Sequence, residues 1–100
     1  MHSLSALADP TRQRIVEILA AGPLPSGEIA RRIAFSPPAI SQHLKILKDV
    51  RLVRMHPQAQ KRIYELDPAG VSELAEWLDR IRAFWTPKLD ALETRLKEEN

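Results

Sequence analysis

The chain has 100 residues, 44% apolar and 28% charged, which suits one domain with one modest core and excludes a disordered segment. No apolar run approaches the ~18 residues of a membrane span, and MHSLSALADP lacks the basic start and apolar stretch of a secretory signal. The net charge is only +2, and the absence of cysteine excludes disulfides and thiolate metal sites, so a reducing, cytoplasmic setting is expected.

In chain order, Ser3 to Ala8 makes a short helix, which must dock on something because short isolated helices are marginal. DPTRQRIVEILAAGP follows as a bounded helix. Asp9 caps it, Pro10 fits the first helical position, Gly22-Pro23 stops it, and Ile15, Ile18 and Leu19 form its apolar stripe. Leu7 is placed to staple its entry. Ser26 caps the next helix, with Ile29, Ala30 and Ile33 inward and Arg31 and Arg32 outward. A short connection, Ala34-Phe35-Ser36, then leads to SPPAISQHLKILKDV, residues 36–50, capped by Ser36 with Pro37 at the first helical position. That spacing is the length of a helix-turn-helix connection.

Two β-prone runs come next within residues 52–66, with Pro57-Gln58-Ala59-Gln60 between them as the turn of a hairpin. Asp67-Pro68 opens a long final helix, 68–98, in which Val71, Leu74, Leu78, Ile81, Trp85, Leu89, Leu92 and Leu96 recur every three or four residues. Pro87 predicts a kink or break near Ala83 to Thr86, since proline removes a helical hydrogen bond and crowds the preceding turn. The order implies one domain over 1–100, mainly α with a small β-hairpin: a winged helix-turn-helix.

On a helical wheel for 36–50, Ile40, Leu44 and Leu47 share one face, with His43 at its flank. Pro38, Ser41, Gln42, Lys45 and Asp49 lie opposite or beside it. A recognition helix enters the major groove through its N-terminal half, where Gln pairs with adenine, Lys with guanine, and Ser with bases or phosphate. Lys48 sits late and to the side, at phosphate reach. From Glu28 to Arg62 eight bases face two acids, whereas from Ile63 onward five bases face nine acids. The basic middle suits a polyanion, the acidic tail something else. Arg54, Gln58, Gln60, Lys61 and Arg62 would line phosphates or the minor groove from the wing, and Arg31 and Arg32 would reach phosphates from the preceding helix.

LADPTRQRIVEIL, SPPAISQHLKILKDVRLV and KRIYELD resemble the ArsR/SmtB family of bacterial winged-helix transcriptional repressors, over Leu4 to about Leu96. The resemblance implies a homodimer on double-stranded operator DNA, with helices at both chain ends forming the interface. It also departs from the family pattern. The region where thiolate metal sensors carry cysteines reads Leu24-Pro25-Ser26-Gly27-Glu28, and the final helix has no histidine. His2, His43 and His56 show no metal-ligand spacing, so no metal and no cofactor is expected. Arg51 stands where many relatives have glycine, and the wing tip has no glycine.

Independently of the resemblance, the last helix carries more apolar residues than one small core absorbs. Ile81, Phe84, Trp85, Leu89 and Leu92, with Leu4 and Leu7, are the expected dimer contacts. Trp77, Phe84 and Trp85 are candidates to line a pocket between subunits, with an organic effector or a protein partner left open. The competing reading is a winged-helix adaptor that binds protein rather than operator DNA. An enzyme has no support: no nucleophile with a base, phosphate loop or carboxylate pair appears.

Overall fold

A computed structural model describes residues 2–98; Met1, Glu99 and Asn100, the ends of the expected domain, lie outside the described residues. Three of the helix starts combine an oxygen-bearing side chain with a proline. Asp9 accepts from the amides of Thr11 and Arg12 at 2.8 and 3.1 Å and opens α2 (Pro10–Ala20). Ser36 accepts from Ala39 N at 3.4 Å and opens α4 (Pro37–Asp49). Asp67 accepts from Ala69 N at 3.0 Å ahead of α5 (Pro68–Glu98). The side chain satisfies a free N-terminal amide while proline, lacking one, supplies a helical φ. The remaining helices are α1 (His2–Ala6) and α3 (Ser26–Ile33).

Ser26 does not cap α3. It is the first helical residue, and Pro25 before it is the cap, with no side-chain bond. The reason is a strand absent from the sequence reading, β1 (Leu24–Pro25), which pairs with β3 (Lys61–Leu66) through Leu24↔Tyr64 and Pro25↔Ile63. The chain therefore passes straight from strand to helix. The sheet is three-stranded and antiparallel, in the order β1-β3-β2, with β2 (Val53–Gln58) on the far edge.

The hairpin is also tighter than its proline suggested. Pro57 and Gln58 pair with Arg62 and Lys61, so the turn is Ala59-Gln60 alone, with Ala59 at φ 57°. Pro57 is tolerated because β2 is an edge strand and one face of its ladder needs no donor. α5 runs unbroken through Pro87 rather than breaking at Ala83 to Thr86. Ala83, whose carbonyl loses its partner, is exposed and open to water.

The core takes Ile15 and Leu19 from α2, Ile29 and Ala30 from α3, Ile40, Leu44 and Leu47 from α4, then Leu52, Val53 and Tyr64. Helix α4 is thus gripped along one face, and its opposite face stays outside. Two turns frame it in the same way. After α3, Phe35 N bonds Ala30 O and Ala34 N bonds Arg31 O, with Ala34 left-handed at φ 62°. After α4, Leu52 N bonds Leu47 O and Arg51 N bonds Lys48 O, with Arg51 left-handed at φ 66°. Both are Schellman endings, whose left-handed residue is usually glycine.

A glycine does serve the second turn, but from across the contact. A Cβ on Gly70 would stand 1.8 Å from the carbonyl oxygen of Arg51. The first turn of α5 lies directly on the backbone of the α4–β2 turn, and Asp67 N donates to Leu52 O at 2.9 Å beside it. Gly70→Ala is expected to cost about 3 kcal/mol or more, because backbone rather than a flexible side chain must move; thermal denaturation measures it. Arg51→Gly should instead gain about 1 kcal/mol by relieving the left-handed strain, shifting the denaturant midpoint upward.

Candidate nucleic-acid interface

The seat of α4 is a small polar network. The Arg12 amide, then the Thr11 amide and the Arg12 guanidinium, hold the Asp9 carboxyl below its ordinary value of 3.8. From the same turn Arg12 Nε donates to Ala6 O at 2.6 Å, tying α1 to α2. Arg12 Nη1 lies 3.4 Å from His43 Nδ1 on α4. Arginine only donates, so that contact uses the ring nitrogen's lone pair. Phe35 packs obliquely on the same imidazole, centroid to centroid 6.4 Å. His43 is therefore scaffold, half-buried between the turn and α2.

On the outer face of α4, Pro38, Ser41, Gln42, Lys45 and Lys48 are all exposed. The fold adds the wing to that face. Ser41, Lys45, Lys48 and Asp49 of α4 line one cleft with Arg62 and Tyr64 of β3, about 290 Å³ in volume. Gln58, Gln60 and Lys61 project at the exposed tip of the hairpin and do not line this cleft. Two exposed apolar residues escaped the sequence reading: Phe35 in the turn and Ile46 on α4. Ile46 does carry a signal, since it lies off the stripe of Ile40, Leu44 and Leu47.

The cations differ in what they already hold. Arg31 and Arg32 both clamp Glu28, at 2.6 and 3.1 Å. Those bonds, Arg31's first, hold the Glu28 carboxyl below its usual range and push the Arg31 guanidinium up. Lys45 pairs with Asp49 at 3.1 Å, and Arg54 with Glu65, its neighbour across the ladder, at 2.7 Å. Lys48, Arg51, Lys61 and Arg62 have no carboxylate partner among the described residues.

The expected dimer residues fall in two groups. Leu4, Ile81, Phe84, Trp85, Leu89 and Leu92 are 39–59% exposed, whereas Leu7 is half-buried against the core. Leu78 and Leu96 are exposed as well. An apolar groove of about 500 Å³ runs along α5 past Leu78, Ile81, Trp85 and Leu89. Of the three aromatic residues expected at a pocket, only Trp85 lines it; Phe84 stacks edge-on against Trp85 and lies under Lys88 Nζ, and Trp77 is half-buried elsewhere. No group of three or more metal-ligating side chains occurs among the described residues, and no described helix is long and apolar enough to cross a membrane.

Residues 9–55, which span the helix-turn-helix and the start of the wing, match the bacterial regulatory protein, arsR family. HTH-type transcriptional regulator Rv2034 of Mycobacterium tuberculosis is 55% identical over 84% of this chain and 76% of its own length. The chain belongs to the ArsR family. Transcriptional repressor SdpR of Bacillus subtilis is 34% identical over 73% of this chain and 81% of its own. The crystal structure of a possible transcriptional regulator for arsenical resistance superposes with a TM-score of 0.75, at 34% identity, over 100% of this chain and 97% of that one. This ArsR-family protein is a winged helix-turn-helix DNA-binding transcriptional regulator, not an enzyme.

Because α4 is seated through Asp9 and Arg12, the interface inherits the acid sensitivity of that cap. A carboxyl whose folded pKa is depressed stabilises the fold above its ordinary 3.8 and stops doing so as pH falls through the lowered value. Asp9→Ala should therefore lower the melting midpoint at neutral pH, with the gap to the parent closing in acid below pH 3.8; melts across that range check it.

Proposed function

We propose that this ArsR-family regulator is a homodimeric cytoplasmic repressor that binds an inverted-repeat operator, reading bases with Ser41, Gln42 and Lys45. The cleft between α4 and β3 carries this reading. It sets Lys48 and Arg62, two cations without acid partners, beside the exposed polar face of α4. Phosphates held by Lys48 and Arg62 would fix the register while the N-terminal half of α4 meets base edges. Pro38 stands at the leading end, Lys61, Gln58 and Gln60 extend the contact along the wing, and Arg31, Arg32 and Arg54 add phosphate contacts weakened by their own carboxylates. An adaptor that bound only protein would leave this cationic cleft without a purpose.

The dimer is supported by α5. Leu74, Leu78, Ile81, Trp85, Leu89, Leu92 and Leu96 repeat with gaps of 4, 3, 4, 4, 3 and 4, an eleven-residue period. Such a period drifts by only about 20° per eleven residues on a straight helix, so over this length the stripe stays on one side with at most a slight right-handed wind, whereas a seven-residue period winds left-handed. From Leu78 onward that stripe has no cover. A second copy related by a two-fold axis covers it with the same stripe, and Leu4, exposed on α1, which contacts α5, joins that interface. Repression agrees with SdpR of Bacillus subtilis being a transcriptional repressor.

Footprinting of the region upstream of its own gene should show two protected half-sites one helical turn apart, about 34–36 Å. Lys45→Ala and Gln42→Ala should each remove about 1–3 kcal/mol of operator discrimination, and Leu89→Glu should give a monomer by light scattering and erase the paired footprint. An unprotected promoter, or operator binding indifferent to Lys45 and Gln42, would refute the reading.

A further inference from the structure

One side chain in the α4–β3 cleft has the wrong sign for its surroundings. Among Ser41, Lys45, Lys48, Asp49, Arg62 and Tyr64, Asp49 is the sole carboxylate. Its Oδ2 holds Lys45 Nζ at 3.1 Å, and both side chains are largely exposed, 59% and 73%.

Helix stability does not account for an acid there. Asp49 is the last residue of α4, where the negative end of the helix dipole disfavours a carboxylate. The pair runs lysine first and acid four residues later, the weaker of the two orientations on a helix. On a DNA-facing surface a carboxylate also repels the phosphates that supply most non-specific affinity.

We propose that Asp49 is a positioning residue for base recognition: it directs Lys45 toward base edges and withholds it from the phosphate backbone, giving up general affinity for sequence discrimination. The proposal rests on the reading of α4 as the recognition helix and names a residue that reading leaves out. Lysine is a point charge on a flexible stem with three rotatable donors, so an untethered Lys45 takes the nearest phosphate. Lys48 and Arg62, in the same cleft, are the cations which that reading assigns to the backbone. Tethered to Asp49, Lys45 stays over the groove, where guanine O6 and N7 accept from it. In water the exposed pair is weak, but DNA displaces water from the cleft and strengthens it.

The test uses the full chain with two probes, a random-sequence duplex and a duplex selected by the parent protein from a random pool. Asp49→Asn is expected to raise affinity for the random duplex about three- to tenfold at 50 mM salt, and to steepen the dependence of log K on log salt by about 1. The ratio of selected to random affinity falls by a similar factor, and Asp49→Glu restores most of it. In a Lys45→Ala background Asp49→Asn leaves the ratio unchanged, which a role independent of Lys45 would not produce. The melting midpoint of Asp49→Asn stays level or rises, so loss of folding does not imitate the effect. Random-duplex affinity and salt slope that do not move on Asp49→Asn would overturn the proposal. If Lys45→Ala abolishes discrimination while Asp49→Asn spares it, only the role of Asp49 falls. If the parent binds neither duplex with a salt dependence, the reading of α4 falls and this one with it.

Discussion

The contact between Gly70 and the carbonyl of Arg51 decides how the two working parts of this protein are joined. In the proposed reading α4 meets DNA and α5 meets a second copy, so the angle between them would set where two recognition helices stand. Here that angle is held by backbone on backbone. The exit of α4 is a Schellman ending with Arg51 left-handed, and α5 starts with its glycine pressed on that turn. Side chains have rotamers to yield; two main chains in contact do not. Strain at Arg51 is of order 1 kcal/mol and local, whereas the packing it permits carries the whole of α5.

From that joint outward, the same sequence serves opposite demands. Helix α4 is gripped by Ile40, Leu44 and Leu47, and its far face is left polar, as the proposed DNA contact requires. Helix α5 beyond Leu78 is bare apolar stripe, as the proposed dimer requires. The body between them is kept charged but not indiscriminately sticky. Four of the eight bases in the middle segment already hold an acid: Arg31 and Arg32 on Glu28, Lys45 on Asp49, Arg54 on Glu65. Surface pairs like these contribute little to folding, but they lower the charge available for non-specific DNA contact. The surplus of bases counted along the chain therefore overstates the field that DNA meets, and the cations left over concentrate at the cleft and the wing.

Much of the fold was legible because its signals are local. Asp9-Pro10, Ser36-Pro37 and Asp67-Pro68 state both the cap and the first helical φ within two residues, and the helices begin there. The apolar spacing of α4 and α5 needed no tertiary knowledge either. What escaped was non-local. β1 is two residues with a proline, and it exists because β3 offers an edge to it; no pattern inside Leu24–Pro25 announces a strand. Pro57 looked like a turn because proline usually interrupts ladders, yet an edge strand accommodates it. At the candidate site, the wheel showed which side chains leave the core, but only the fold brings Arg62 and Tyr64 against Ser41 and Lys48. The acid partner of Arg54, Glu65 across the ladder, is likewise a fact of geometry, and Gly70 carries no mark in sequence of the carbonyl it faces.

Pro87 shows how proline can sit inside a helix without breaking it. Proline does remove a donor and crowd the turn before it, and of the kink or break predicted near Ala83 to Thr86 the break would follow if that damage fell where packing needs the helix intact. At 100° per residue, Pro87 lies about 200° round α5 from Trp85, and Ala83, whose carbonyl it strands, lies about 160° round. Both therefore sit on the side away from the stripe of Ile81, Trp85, Leu89 and Leu92. The orphaned carbonyl faces water, which satisfies it, and the ring presses on no partner surface. A bend in response would have proline on its outer side and leave the stripe on the inside, the way exposed helices curve about what they pack against. The helix keeps its run through Glu98 because the defect is on the face that nothing has to fit.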